Sequence, residues 1–212
     1  MKKLIALLLA LVMVLSMAAC APANNNEETE GNNDVTEGNE NKETEAPAAA
    51  SALELLETVW AKFPEANKFP VMGGDEANAN YEGPGKVELP GAEGNALWSL
   101  YVPEEQLANF SEAATMMHAM NANTFTAGAL KLADGADKTA VAKALSDAIL
   151  GTHWMCGFPE RLIVVSVDNY LVVAFGHDGV NFPEGGKIIT EFLTGLQAEY
   201  ASAAVLHDEA IG

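Results

Sequence analysis

The sequence predicts a single α+β domain, in which a mixed sheet of about four strands packs against helices, behind a disordered acidic linker. Two observations lead to this prediction. Residues 21–50 are polar and acidic, with Val35 as their one large apolar residue. Residues 51–212 instead alternate between runs with helical periodicity and runs with β-like patterns. A chain of this second length buries about 70% of its unfolded surface, which is enough for one stable domain.

The start of the chain has the pattern of an export signal. Two lysines precede twelve uninterrupted apolar residues, 4–15, and Ala18-Ala19-Cys20 follow. This order is typical of a secretory signal peptide, and the apolar run is too short for a stable transmembrane helix. A cysteine directly after two alanines resembles the lipobox of bacterial lipoproteins. The resemblance implies that residues 1–19 are a lipoprotein signal peptide that is removed.

In lipoproteins the new terminal cysteine carries the anchor, and here that residue is Cys20. A diacylglyceryl group with chains such as palmitate holds a protein stably on a membrane, because each buried CH₂ contributes about 0.8 kcal/mol. We therefore expect an extracytoplasmic protein, anchored to membrane lipid on the outer face of the cytoplasmic membrane through acylated Cys20. An ordinary signal peptide followed by an accidental cysteine is the alternative.

Charge separates the linker from the domain and limits the partners of both. Residues 20–50 hold the cysteine and a linker with eight acidic residues and one lysine, which favours an extended coil. Residues 51–212 hold 22 acidic and 8 basic residues, a net charge of −14. Such a surface repels nucleic acid and anionic lipid headgroups, so we expect no nucleic-acid partner.

Four segments of the domain predict helices. Apolar residues recur at helical spacing in residues 51–63, 103–120, 137–149 and 184–202. Ser51 and Asp137 stand where helix N-caps are expected. Residues 64–94 show no lasting period, so we interpret them as a long irregular segment.

Strands are predicted between these helices. Residues 95–102 alternate strictly, with Trp98 and Leu100 on one face, and residues 123–134 have a β-like pattern. Residues 161–167 and 170–176 are apolar at nearly every position, which indicates strands covered on both faces. The two residues between them suit a tight hairpin.

Two internal segments carry a further resemblance. The stretches HAMNANTFTAGAL, residues 118–130, and HWMCGFPERLIVV, residues 153–165, together with the lipobox start, resemble small lipoproteins of Gram-positive bacteria that form an uncharacterised, domain-of-unknown-function family. The resemblance implies an envelope protein. It brings no catalytic residue.

Cys156 is the one cysteine of the domain and therefore the first candidate for chemistry. A nucleophilic thiol needs a nearby base, and His118, His153 and His177 are available. The flanks of Cys156 lack the local signatures of cysteine hydrolases, and no zinc-binding spacing occurs. We therefore predict that Cys156 is buried and packs with Trp154, Met155 and Phe158 in a corner between helix and strand. A reactive or ligating thiol is the alternative.

Other candidate ligands have simpler interpretations. Met116, Met117 and Met120 beside His118 could bind a soft metal, but at helical spacing they favour a core face. Asp134 and Asp137 lack the calcium-loop pattern and fit a turn and a helix cap. We predict no catalytic residue, no metal site and no cofactor.

Three classes of function remain. The first is a noncatalytic envelope protein that binds another surface protein or a wall component, as the tether and the lack of a chemical motif suggest. The second is a lipoprotein that binds a small molecule and serves a transporter, although the domain is small for a two-lobed receptor. The third is an enzyme that uses Cys156 with a histidine. We expect the first.

Overall fold

The structure is a computed structural model, and it describes residues 48–89, 97–179 and 186–212. The helices are α1 Ala52–Lys62, α2 Lys138–Leu150 and α3 Ile188–Glu199. The strands are β1 Val71–Met72, β2 Gly85–Val87, β3 Phe110–His118, β4 Phe125–Leu132, β5 Arg161–Val167, β6 Tyr170–Gly176 and β7 Ala204–Ala210. Short 3₁₀ helices lie between some of them.

All seven strands form one antiparallel sheet, with β1 and β2 both paired to one edge of β3, followed by β4, β6, β5 and β7. The fold is α+β, but the predicted mixed sheet of about four strands is wrong. Of the four strands that sequence reasoning missed, β3 was predicted as part of a helix, β1 and β2 are very short, and β7 is exposed. Very short and exposed strands leave no clear apolar pattern in the sequence.

The sheet is covered by helices on both faces. α1 and α3 pack on one face over a core that includes Ile163 and Val172, while α2 packs on the other over Val164 and Val173. The prediction that residues 161–167 and 170–176 are covered on both faces is therefore confirmed. Every residue of β6 is buried, and so is every residue of β5 except Arg161.

The two predicted helix N-caps, Ser51 and Asp137, are confirmed. The Ser51 hydroxyl accepts a hydrogen bond from the Glu54 backbone N–H at the start of α1. The Asp137 carboxylate accepts from the backbone N–H groups of Thr139 and Ala140 at the start of α2. Each side chain satisfies backbone donors that have no partner inside the helix.

Two predicted elements between residues 95 and 120 are wrong. The predicted strand at 95–102 contains the 3₁₀ helix Trp98–Leu100. Tyr101 follows with a left-handed backbone, φ 54°, which is incompatible with a β-strand. The predicted helix at 103–120 is a 3₁₀ helix, Glu104–Asn109, followed by β3. Neighbouring residues in the middle of β3 are buried on both faces, so apolar residues fill both helical and alternating positions and the pattern is ambiguous.

The ends of the domain also differ from expectation. The last helix is shorter than the predicted 184–202, and the chain after it turns back as β7. The segment predicted as irregular, 64–94, contributes β1 and β2 in its described part. Between them the Asp75 carboxylate accepts from the backbone N–H groups of Asn78 and Glu88, which closes the loop.

Several predictions lie outside the described residues. These are the signal peptide at 1–19, lipidation of Cys20, and the linker up to residue 47. They stay predictions. Among the helices of the described residues, none is both long and apolar enough to cross a membrane.

Candidate functional site

The chain enters the domain at one end of the sheet. The backbone N–H of Ala52, the first residue of α1, donates to Glu112 Oε1 at 2.7 Å, and Glu112 lies near the start of β3. β3 then runs to His118, and β4 returns from Phe125. We call the end of the sheet marked by His118 and Phe125 the distal end, because it is opposite the entry of the chain.

Three loops meet around the distal end. The register pairs Phe125 with Gly176 and Gly176 with Arg161, so the β3–β4 turn and the segment before β5 are neighbours there. The side-chain amide of Asn123 holds them together by donating to the backbone carbonyls of Cys156, at 2.8 Å, and Gly157, at 3.2 Å. The third segment contains Tyr101, whose ring lies 5.3 Å from the ring of Trp154 in the segment before β5.

Five large apolar side chains in these loops are exposed, and we call them the distal apolar surface. Its members are Trp98, Tyr101, Met120, Met155 and Phe158. Met120 is 84% exposed, Met155 79%, Trp98 67% and Phe158 65%. Isolated exposed apolar residues are ordinary, but several in adjoining loops are typical of an interaction surface.

Trp154 anchors this surface to the core. Its side chain is 9% exposed, with its ring centroid 5.3 Å from Tyr101 and 5.4 Å from Phe175 near the end of β6. The ring contact with Tyr101 is edge-on, an arrangement that aromatic pairs favour. The buried Trp154 Nε1 has no hydrogen-bond partner within the described part of the chain.

The prediction that Cys156 is buried is wrong. Cys156 is exposed, and so are its neighbours Met155 and Phe158, whereas Trp154 alone fills the predicted corner. Gly157, directly after the cysteine, adopts φ 88°, a left-handed conformation that glycine accommodates without steric cost. The local sequence could not reveal this, because the apolar residues Trp154, Met155, Cys156 and Phe158 fit a buried corner as well as an exposed loop.

The methionines near His118 do not share one face. Met116 is fully buried in the core, Met117 is half-buried, and Met120 is exposed. They belong to a strand and the turn after it, so the predicted helical face does not exist. Within residues 48–89, 97–179 and 186–212, no three histidine, cysteine or acidic side chains are placed to hold a metal ion.

His118 organises the β3–β4 turn. Its Nδ1 accepts hydrogen bonds from the backbone N–H groups of Met120, at 3.1 Å, and Asn121, at 3.2 Å. Phe69 stacks on the imidazole ring with centroids 5.1 Å apart. Burial lowers the pKa of His118, and the nearby His177 lowers it further. The neutral ring therefore holds the backbone of the turn that carries Met120.

Sequence reasoning missed the arrangement around Arg161. The guanidinium bonds Asp178 and Thr190 through Nη1 and pairs with Asp208 through Nε and Nη2. The hydrogen bonds to Asp208 are the main cause that raises the pKa of Arg161, and the same pair lowers the pKa of Asp208. The sequence contained one signal for this arrangement, because Arg161 is the one arginine of the chain.

The comparisons with known proteins give no further guidance about the site. No family model matches the chain, and searches of curated proteins and of solved structures find no match.

Proposed function

We propose that this protein is an extracytoplasmic lipoprotein, anchored to the membrane through acylated Cys20, that binds a protein of the cell envelope without catalysis. The resemblance of its first residues to a lipobox supports the anchor. The distal apolar surface supports the binding role and is the observation that carries it.

The position of the surface fits this role. Ala52, near the start of the described chain, bonds Glu112, and six residue steps of β3 lead from Glu112 to His118 at the distal end. At about 3.3 Å per residue in a strand, this separation is about 20 Å. A tether at one end would leave the opposite end free to meet a partner.

The composition of the surface favours a protein partner. Aromatic residues and methionine are enriched at the centres of protein interfaces, and charged residues are depleted there. Trp98, Tyr101 and Phe158 supply the aromatic area, and Met120 and Met155 supply flexible side chains that adapt to a partner. Burial of such anchors usually contributes most of the binding free energy.

Cys156 provides a direct test, because its thiol is exposed within the surface. The thiol of the full chain is coupled to a photoactivatable cross-linker, and the protein is irradiated with the envelope fraction of the cells that produce it. A matched protein carries Cys156→Ser and Glu57→Cys, which moves the probe to the exposed side of α1. We expect one envelope protein to be cross-linked by the probe at Cys156, and the same protein not to be cross-linked by the probe at position 57.

A second comparison ties the product to the apolar side chains. Met155→Ser and Phe158→Ser together should reduce the yield at least about tenfold, because two of the five apolar side chains of the surface are lost. An unchanged yield in this variant, equal yields from both probe positions, or no product at all would contradict the proposed binding role.

A further inference from the structure

The outer edge of β7 is open within the described residues. β7 pairs with β5 on one side, and it is the last strand in the order of the sheet. All its residues are exposed except His207, which is half-buried. Proline and lysine, which commonly protect edge strands from pairing, are absent from Ala204–Ala210.

The register shows which backbone groups of β7 face outward. Val167 and Tyr170 close a two-residue hairpin, so alternate residues of β5, including Leu162 and Val164, direct their N–H and C=O groups toward β7. Their partners Glu209 and His207 therefore point inward. The hydrogen bond from Ile211 N to Glu160 O, at 3.0 Å, continues this alternation.

The residues between these positions, Asp208 and Ala210, therefore direct their N–H and C=O groups away from the sheet. A register shift near Val205 and Leu206 bends the first half of the strand. The second half of β7 is consequently the part whose backbone can bind another strand. Val205 and Leu206, 39% and 38% exposed, add apolar area beside it.

Negative charge surrounds this half of the strand. A cavity of about 270 Å³ lies at its end, and the side chains that line it include four carboxylates and the single guanidinium of Arg161. The carboxylates belong to Glu160, Asp178, Asp208 and Glu209. Arg161 pairs with Asp178 and Asp208, and Glu160 accepts a hydrogen bond from the Asp178 backbone N–H and lies 3.8 Å from His177 Nδ1. The four carboxylates nevertheless exceed the one guanidinium in charge.

We propose that the outer edge of β7 binds an extended, basic segment of a partner protein, which adds to the sheet as a further strand. Main-chain hydrogen bonds to Asp208 and Ala210 would provide affinity, and a lysine or arginine at the cavity would provide specificity. A second copy of this chain is disfavoured as the occupant, because two domains that each carry a net charge of −14 repel each other. This surface is formed by other residues than the distal apolar surface.

The test uses the full chain and two synthetic peptides of seven residues, the length of β7. One alternates valine with lysine, and the other alternates valine with glutamate. Fluorescence anisotropy of the labelled peptides measures binding. The proposal expects the lysine peptide to bind, with an affinity that falls as salt is added, and the glutamate peptide to bind at least about tenfold more weakly.

Two variants address the backbone and the charge separately. Ala210→Pro removes an outward N–H and should weaken binding of the lysine peptide at least about tenfold, whereas Ala210→Val should leave it unchanged. Glu209→Lys reverses a charge at the cavity and should have an effect similar to that of Ala210→Pro. Circular dichroism checks that each variant is folded.

Three results would overturn the proposal. They are failure of the lysine peptide to bind, equal binding of both peptides, and binding that is unaffected by both Ala210→Pro and Glu209→Lys. Sedimentation tests whether the chain forms a dimer. A dimer that dissociates in the Ala210→Pro variant would overturn the proposal, because it would show that the edge of β7 binds a second copy of this chain.

Discussion

Arg161 donates hydrogen bonds to both carboxylate oxygens of Asp208, from Nε to Oδ1 and from Nη2 to Oδ2, each at 2.8 Å. This two-pronged contact ties the first residue of β5 to the edge strand β7. The same guanidinium donates to Asp178 Oδ2 at 2.7 Å, and Asp178 Oδ1 accepts from the backbone N–H of Thr190 in the first turn of α3. One arginine thus joins β5, β7 and α3.

Removing Arg161 should destabilise the domain. Arg161→Ala leaves the Asp178 carboxylate, whose side chain is 10% exposed, without its cation, and we expect the free energy of unfolding to fall by about 2 to 4 kcal/mol. Arg161→Lys should recover part of this loss, because lysine keeps the charge but not the paired geometry. Urea unfolding of the three proteins measures the differences.

Lys143→Ala is the matched control, because Lys143 forms an exposed ion pair with Asp147 on α2. Exposed pairs contribute little, so this variant should stay within about 0.5 kcal/mol of the parent. Equal losses for Lys143→Ala and Arg161→Ala would show that Arg161 has no special structural role.

The exposed position of Cys156 predicts rapid labelling of the folded protein. A thiol reagent should modify Cys156 in the native state at a rate close to that in denaturant, since a buried thiol would be protected. A large increase of the rate on unfolding would contradict its exposure. The measurement is absorbance of the released thiolate during labelling.

Substitutions in the same loop should separate its buried residue from its exposed ones. Trp154→Ala removes a buried ring and should cost about 3 to 5 kcal/mol in the free energy of unfolding. Phe158→Ala and Cys156→Ala change exposed side chains and should each stay within about 0.5 kcal/mol. Similar losses for Trp154→Ala and Phe158→Ala would contradict the assignment of Trp154 as the anchor.

The environment of His118 predicts a pH dependence of stability. Its pKa is lowered in the folded state, so between the unfolded value near 6.5 and the lower folded value the unfolded chain binds more protons. The free energy of unfolding should therefore fall as the pH is lowered from about 7 toward 5, and this contribution should be constant above about pH 7. Urea titrations across this range measure the slope.

Two variants isolate the contribution of His118. His118→Asn keeps an acceptor for the backbone of the turn but cannot titrate, so its slope with pH should be smaller than that of the parent. His153→Gln, which removes one exposed imidazole, is the matched control. If His118→Asn has the parent slope, the burial of His118 does not set the pH dependence of stability.

Acylation of Cys20 is testable by mass spectrometry of the protein from its native membrane. We expect the chain to begin at Cys20 with a diacylglyceryl group on the sulfur. Cys20→Ser should release the protein from membranes or leave its signal uncleaved, because the sulfur is the attachment point. An unmodified terminus at any other residue would disprove the anchor.

The helical caps and the central hairpin could be predicted from sequence because they depend on neighbouring residues. Ser51 and Asp137 bond backbone groups two or three residues away, and the Asp168-Asn169 turn joins two adjacent apolar runs. Interactions of this kind are encoded within one short segment.

The distal site could be predicted only in part. His118, Met120 and the stretch around Cys156 were recognised as candidates, but the sequence could not tell whether each side chain is buried. Burial of Met116 and exposure of Met155 depend on which segments cover them. Those segments come from distant parts of the chain, such as Asn123 beside Cys156.

The sequence by itself determined the α+β class, the two-faced burial of β5 and β6, and the acidity of the domain, because composition and local periodicity encode these properties. Only the tertiary structure decided the antiparallel seven-stranded sheet, the edge position of β7 and the joining of Arg161 to Asp208, 47 residues later. Such pairings depend on the sum of many weak contacts between distant segments, and no single segment contains that information.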